Sequence, residues 1–163
     1  MFKVNDLVVY ENGGVCSVEE IGSPDFVKDD EVYYKLQPIY DKSGTIYVKA
    51  KNNTHVIRPL ISKDEATGYL EELSQIEPMY SSNDKERDRE FKEALHSCEC
   101  RAWFSMLKGI IKEKNRRIGV GKKLNMSDDR NMQKVGKLLT SEYSAVLDIS
   151  FDEAKKMLEG LLE

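Results

Sequence analysis

The sequence predicts an α+β protein in which a small antiparallel β module precedes an all-helical bundle. Three observations carry that reading. Two short apolar runs, residues 7–10 and 15–21, flank Asn12-Gly13-Gly14, residue types that tolerate the positive φ of a tight strand-turn-strand. Strand formers recur in short blocks as far as Pro59, after which the hydrophobic period changes from two to about 3.6 residues. The change is marked by Ser62-Lys-Asp-Glu65, a capping box in which Ser and Glu satisfy each other's backbone donors at a helix start.

In order along the chain, residues 22–30 are polar and read as a loop after the hairpin. Val32-Tyr-Tyr-Lys-Leu-Gln-Pro-Ile-Tyr40 is rich in strand formers, and Pro38 marks an edge or a strand end. Asp41-Lys-Ser-Gly44 has turn chemistry, Thr45-Ile-Tyr-Val48 makes the next strand, and Val56-Ile-Arg58 a short fifth one stopped by Pro59. Five short antiparallel strands fit a small SH3- or Tudor-like barrel over residues 1–60.

Residues 61–163 are expected to be helical. Tyr69, Leu70, Leu73 and Ile76 follow the capping box at helical spacing, and Glu77-Pro-Met-Tyr-Ser-Ser-Asn83 reads as a linker or corner. Asp84 opens a charged helix carrying Phe91, Ala94 and Leu95. Residues 99–114 are strongly amphipathic, with Trp103, Met106, Leu107, Ile110 and Ile111 repeating at i, i+3, i+4, i+7 and i+8. Residues 117–124 contain Gly119 and Gly121 and are expected to form a loop. Ser127 is expected to cap a helix reaching about Leu147, and Ser150-Phe-Asp-Glu153 is a second capping box that opens the last helix.

The 163 residues carry 40% apolar and 33% charged side chains, enough for a packed core and a well-solvated helical surface. Met1-Phe2-Lys3 runs directly into the strand pattern without the apolar stretch of a signal peptide. No run approaches the roughly 20 apolar residues that a bilayer needs. Cys16, Cys98 and Cys100 are odd in number and lack framework spacing, which reads as reduced thiols in a cytoplasmic protein.

The net charge of −4 hides an asymmetry. Residues 1–80 hold 8 Lys/Arg against 14 Asp/Glu, a net of −6, whereas residues 101–137 hold 11 Lys/Arg against Glu113, Asp128 and Asp129, a net of +8. Such clustering has two readings. One is a lysine-rich solvated helix surface; the other is contact with nucleic-acid phosphates, which is sequence-tolerant and salt-sensitive.

Catalytic signatures are missing from the sequence, and a non-enzymatic protein without cofactor or small-molecule substrate is expected. His55 and His96 lie in no nucleophile or metal motif. Gly119-Val-Gly-Lys-Lys123 superficially matches a phosphate loop, but Arg116 stands where its first Gly belongs and Lys123 where Ser or Thr binds magnesium. His96-Ser-Cys98-Glu-Cys100 places three soft ligands together without the second cluster that a tetrahedral zinc site requires, so buried thiols are expected. Trp103, the single tryptophan, falls in a helical apolar stripe and is expected in the core.

Lys3-Val4-Asn5-Asp6, Val8-Val9-Tyr10 and Gly14, followed by Thr45-Ile-Tyr-Val48 with Asn52 or Asn53, occur in an order that resembles the CarD/CdnL family of bacterial RNA-polymerase-binding transcription regulators. The same module is found in transcription-repair coupling factors. In the second half, Arg89-Glu-Phe91-Lys92, Leu95 and the run from Ser97 through Leu107-Lys108 to Ile110 fall in the same register. The resemblance implies a Tudor-like module, residues 1–60, that docks on the RNA polymerase β subunit through a sheet edge. Thr45, Ile46, Tyr47 and Val48, with Tyr34 and Lys35, are the residues carried over to that edge.

It also implies a helical domain, residues 61–163, that contacts promoter DNA near the upstream edge of the bubble and modulates open-complex stability. Arg89 and Lys92 match basic family positions, and the family's minor-groove tryptophan falls at about Arg87. Arg116, Arg117, Lys122 and Lys123 join this DNA-binding set on charge alone. A monomer is expected when the protein is free. The competing expectation is an adaptor without nucleic-acid contact, whose basic surface meets RNA polymerase or another acidic partner.

Overall fold

The computed structural model describes residues 1–42, 44–52 and 56–163. Ser43 of the expected turn, Asn53 of the family pattern and His55 lie outside the described residues. Five strands, β1 (Leu7–Tyr10), β2 (Gly14–Gly22), β3 (Tyr33–Pro38), β4 (Ile46–Lys49) and β5 (Ile57–Pro59), form one antiparallel sheet in the order β4-β3-β2-β1-β5. The sheet is curled into a half-barrel, as the sequence predicts. Five helices follow: α1 (Lys63–Glu71), α2 (Asp84–Ser97), α3 (Cys100–Gly119), α4 (Met126–Leu147) and α5 (Phe151–Leu162), with a 3-10 turn at Leu73–Gln75.

The opening hairpin needs glycine at one position for two reasons. Gly13 N–H closes a turn on Tyr10 O at 3.2 Å, and Gly14 follows in the left-handed region at φ 73°, a geometry that glycine adopts without strain. A Cβ at Gly14 would also lie 2.8 Å from Ser141 Oγ on α4. That closeness lets Val15 N–H donate to Ser141 Oγ at 2.8 Å.

Alternation then divides the sheet's side chains. Val8, Cys16, Val18, Tyr34, Leu36, Val48 and Ile57 fill the half-barrel. Val9 and Val15, on the other face, join the helical core with Phe91, Trp103, Phe104, Ile110, Leu139 and Tyr143. The sheet therefore contributes to two cores, one inside its curl and one beneath it.

Helix starts follow the chemistry of their caps. Ser62 and Glu65 form the reciprocal capping box, and Ser150 Oγ accepts from Glu153 N–H. α4 begins two residues earlier than expected, because Asn125 rather than Ser127 caps it through Asp128 N–H. α3 likewise runs past the expected loop start at residue 117, to Gly119. Its end is a left-handed cap: Gly121 has φ 74°, its N–H reaches Ile118 O at 3.0 Å, and Lys122 N–H reaches Arg117 O at 2.8 Å. This is the Schellman pattern, so the glycine of the apparent phosphate-loop motif closes a helix.

Candidate functional site

Among the described residues β4 pairs with one strand, β3, and is one edge of the sheet. An edge strand offers its outer backbone groups to a further strand. Along β4, Ile46 and Val48 turn toward the half-barrel core and Tyr47 stands outward, 38% exposed. Thr45 is exposed and immediately precedes the strand. Lys35 sits opposite Tyr47 in the register and pairs with Glu20 at 3.4 Å.

Tyr34 is the exception within the expected docking set. It is 1% exposed, packs edge-on against Phe2 at 5.7 Å and accepts a hydrogen bond from Phe2 N–H at 3.2 Å. Its ring is core, so the direct partner contact expected of it is corrected to a supporting role beneath β4, opposite Val48.

Sequence reasoning missed Phe26. It lies in the polar 22–30 loop, is 66% exposed, and meets the Tyr47 ring edge-on at 4.8 Å between centroids. The two aromatics, with Glu20, Ile21 and Lys35, line a shallow hollow of about 310 Å³ beside the edge. A lone aromatic in a loop has no periodicity to reveal it; its only signal is its presence among polar neighbours.

The expected DNA-facing residues separate into three groups. Arg87 is 8% exposed and serves as an internal strut. Its Nε donates to Asp128 Oδ1 at 3.2 Å, Nη1 to Ser81 O at 2.9 Å and Nη2 to Asp84 Oδ1 at 2.8 Å, with the guanidinium 4.7 Å from the Tyr80 ring centre. Tyr80 OH donates to the same Asp128; burial first, and that hydrogen bond second, push the phenol pKa up. The expectation that Arg87 faces DNA is therefore corrected: every nitrogen is engaged inside the protein.

Arg89 and Lys92 are exposed on α2, each in an i,i+4 pair, Arg89 with Glu93 and Lys92 with Asp88, both at 3.0 Å. α2 holds four Lys/Arg against five Asp/Glu, so its surface is not positive. The end of α3 and the loop after it are different. Arg116 pairs with Glu113, Arg117 Nη1 donates to Lys123 O at 3.1 Å, and Lys122 and Lys123 are exposed. Cations at a helix C-terminus also complement its dipole. The structure thus brings Arg116, Arg117, Lys122 and Lys123 together at one end of the bundle, apart from the α2 residues in sequence and in charge environment.

Arg58 is a further residue whose importance the strand pattern did not reveal. From β5 its Nη1 and Nη2 donate to the two carboxylate oxygens of Glu142 on α4, at 2.6 and 2.7 Å. Its Nε donates to Cys98 O, and the group lies 5.4 Å from the Trp103 ring centre. Glu142 is fully buried and also accepts from Ile61 N–H at 2.9 Å and Cys100 Sγ at 3.0 Å. Burial opposes the guanidinium charge, but the Glu142 carboxylate outweighs it and raises the Arg58 pKa.

Trp103 is 0% exposed, in the core as expected. The three thiols are free and buried, and burial pushes Cys16 up to about 12 and Cys98 up to about 11. Among the described residues no group of His, Cys, Asp and Glu could hold a metal ion, and no helix is long and apolar enough to cross a membrane. Residues 2–61 match the family model described as the CarD-like/TRCF RID domain. A search of curated proteins finds no match.

Proposed function

We propose, taking residues 2–61 as a CarD-like/TRCF RID domain, that this protein is a non-enzymatic transcription regulator of the bacterial cytoplasm. That domain type points to an RNA-polymerase-interacting, transcription-related protein. The module over residues 1–60 docks on the polymerase β subunit by strand addition at β4, where backbone bonds supply affinity and outward side chains supply selectivity. Thr45, Tyr47, Lys35 and the backbone of Ile46 and Val48 make the contact, and Phe26 widens it. The observation that carries this reading is the coincidence of a matched RID domain with a strand that lies at the edge of the sheet among the described residues and bears an exposed aromatic pair.

The helical region, residues 61–163, then contacts promoter DNA near the bubble and modulates open-complex stability. The cluster of Arg116, Arg117, Lys122 and Lys123 supports this half, and those four replace α2 as the principal phosphate contacts. Free in solution the protein is a monomer.

Retention of the full chain on immobilised β-subunit lobe tests the docking half, with Tyr47→Ala and Phe26→Ala as side-chain variants and Ile46→Asp at the strand. Binding unaffected by all three would refute the edge. For the DNA half, affinity should fall steeply with salt as several phosphates are released.

A specific observation keeps the adaptor reading in play: Arg89 and Lys92 are paired on a helix with excess carboxylate. If replacing Arg116, Arg117, Lys122 and Lys123 with Ala leaves promoter output unchanged, the basic surface serves an acidic protein partner instead.

A further inference from the structure

α4 packs against both α3 and α5, and between the three helices runs an open trough of about 420 Å³. Each helix lends it a stripe at turn spacing. Leu107, Ile111 and Lys114 come from α3, and Met132, Gly136 and Thr140 from α4. About two turns of each helix, or about 12 Å, therefore face the trough. α5 adds Phe151, Leu158 and Leu162. Three helical stripes of this length make a seat for a fourth helix.

The α4 stripe is low and leaves no hydroxyl unmatched. A Cβ at Gly136 would meet nothing within 4 Å. Thr140 carries the single hydroxyl among the described lining residues, and it donates to Gly136 O at 2.7 Å. Small side chains at a contact let two helices approach closely. The rim above this stripe is charged in a pattern. Lys114, Lys137 and Lys155 put one cation on each helix, whereas the lining carboxylates, Glu159 and Glu163, are confined to the end of α5.

We propose that the trough docks an amphipathic helix of another protein, apolar at i, i+4 and i+7 and flanked by carboxylates. A basic residue at one end of that helix faces Glu159 and Glu163. The site is one that neither the polymerase contact nor the DNA contact uses. Charge complementarity selects the occupant: an apolar floor under a lysine on each wall matches an apolar stripe between acidic flanks. A second copy of this chain does not supply such a helix. The strongly exposed large apolar side chains of the described helices, Ile118, Met126 and Leu161, sit singly at helix ends. Lys114 also borders the open hollow at the α3–α4 tip, so a docked helix is carried next to the basic end of the bundle.

The test uses the full chain and three fluorescein-labelled peptides of about 18 residues, with binding read by fluorescence anisotropy. The first has Leu at i, i+4, i+7 and i+11, Glu on both flanks and Lys-Lys at one end. The second exchanges every Glu and Lys, and the third shuffles the first so that its apolar stripe is lost. The first is expected to bind about 10-fold tighter than the second, because like charges that meet across an interface are penalised. The third is expected not to bind. Gly136→Phe, which places a ring in open space, should weaken the first peptide by about 10-fold or more and keep the thermal melt at or above that of wild type. Lys114→Glu with Lys155→Glu should bring the first two peptides to near-equal affinity. Near-ultraviolet circular dichroism checks that both variants keep the fold. The proposal is overturned by no saturable binding of the first peptide, by equal affinity of wild type for the first two, or by binding that a folded Gly136→Phe variant retains. Concentration-dependent self-association of wild type, abolished by Gly136→Phe, would assign the trough to a second copy instead.

Discussion

Arg58 on β5 holds Glu142 on α4 through two hydrogen bonds of 2.6 and 2.7 Å, and this pair lies in the seam between sheet and helices. Tyr40 and Phe151 add an aromatic contact at 5.2 Å, and Lys137 approaches Asp41 at 3.7 Å across the same seam. Removing one partner of a buried pair leaves the other charge unmatched, which costs about 3–5 kcal/mol. Arg58→Ala should lose stability on that scale in urea denaturation, because it strands a fully buried carboxylate. Arg58→Met with Glu142→Leu should lose markedly less. A single variant within about 0.5 kcal/mol of wild type would show that the clamp is not a stability element.

Two helix-interior glycines should respond in opposite directions. A Cβ at Gly109 would sit 1.9 Å from the Met79 carbonyl oxygen, where the 77–83 corner lies against α3. Gly109→Ala must push that backbone away and should destabilise by several times the usual ~1 kcal/mol of a point mutation. Gly136 on α4 has nothing within 4 Å, so Gly136→Ala should stabilise by about 0.5–1 kcal/mol through helix propensity. Thermal melts of the two variants should straddle the wild-type value.

The elements were legible where a period or a cap was written into the chain. The hairpin, the period change after Pro59, the Ser62 capping box and the Trp103 stripe each encode structure in neighbouring residues. Arg58, Glu142, Arg87 and Asp128 were not legible. Their roles depend on partners 84 and 41 residues away, and a charged residue in a strand or on a helix reads as solvated until its distant partner is known. The family resemblance sets Arg87 at the position of a minor-groove tryptophan, toward DNA, whereas its guanidinium lies against Tyr80. The exposed Phe26–Tyr47 pair was half visible: the strand pattern marked Tyr47, and only the fold brought Phe26 to it.

Arg87 and the α3–α4 basic cluster should separate experimentally. Arg87→Ala removes one hydrogen bond each to Asp128, Ser81 O and Asp84 and should lower the melting temperature, with a loss of stability approaching the about 3–5 kcal/mol of a broken buried pair. Lys122→Ala with Lys123→Ala, both exposed, should leave the melt within about 0.5 kcal/mol and reduce the salt slope of DNA binding by about two. A reversed outcome would restore Arg87 to the nucleic-acid interface.

Alkaline stability should follow the thiols. Cys16 and Cys98 have ordinary values near 9.0 and folded values of about 12 and about 11, in each case raised chiefly by burial. The folded state keeps these protons longer, so their stabilisation is complete below about pH 9 and is lost as pH rises through 11 to 12. The limiting slope is about 1.4 kcal/mol per pH unit for each thiol. Urea midpoints of wild type should fall between pH 9 and about 11, from the ordinary thiol value to the lower of the two folded values. Cys16→Ala with Cys98→Ala should fall less over the same interval. Parallel declines would exclude these two thiols as the cause.

Val9 and Val15 belong to the β module by chain position and to the helical core by packing. A tether would let a docked protein search the space around its partner. Here β1 and β2, which carry those valines, are cemented into the bundle, and the proposed docking edge at β4 lies two strands beyond β2 in the same sheet. Whatever grips that edge therefore sets the compass bearing of the α3–α4 tip. Mutations in the shared valines would be felt as misaimed contact far from either binding surface.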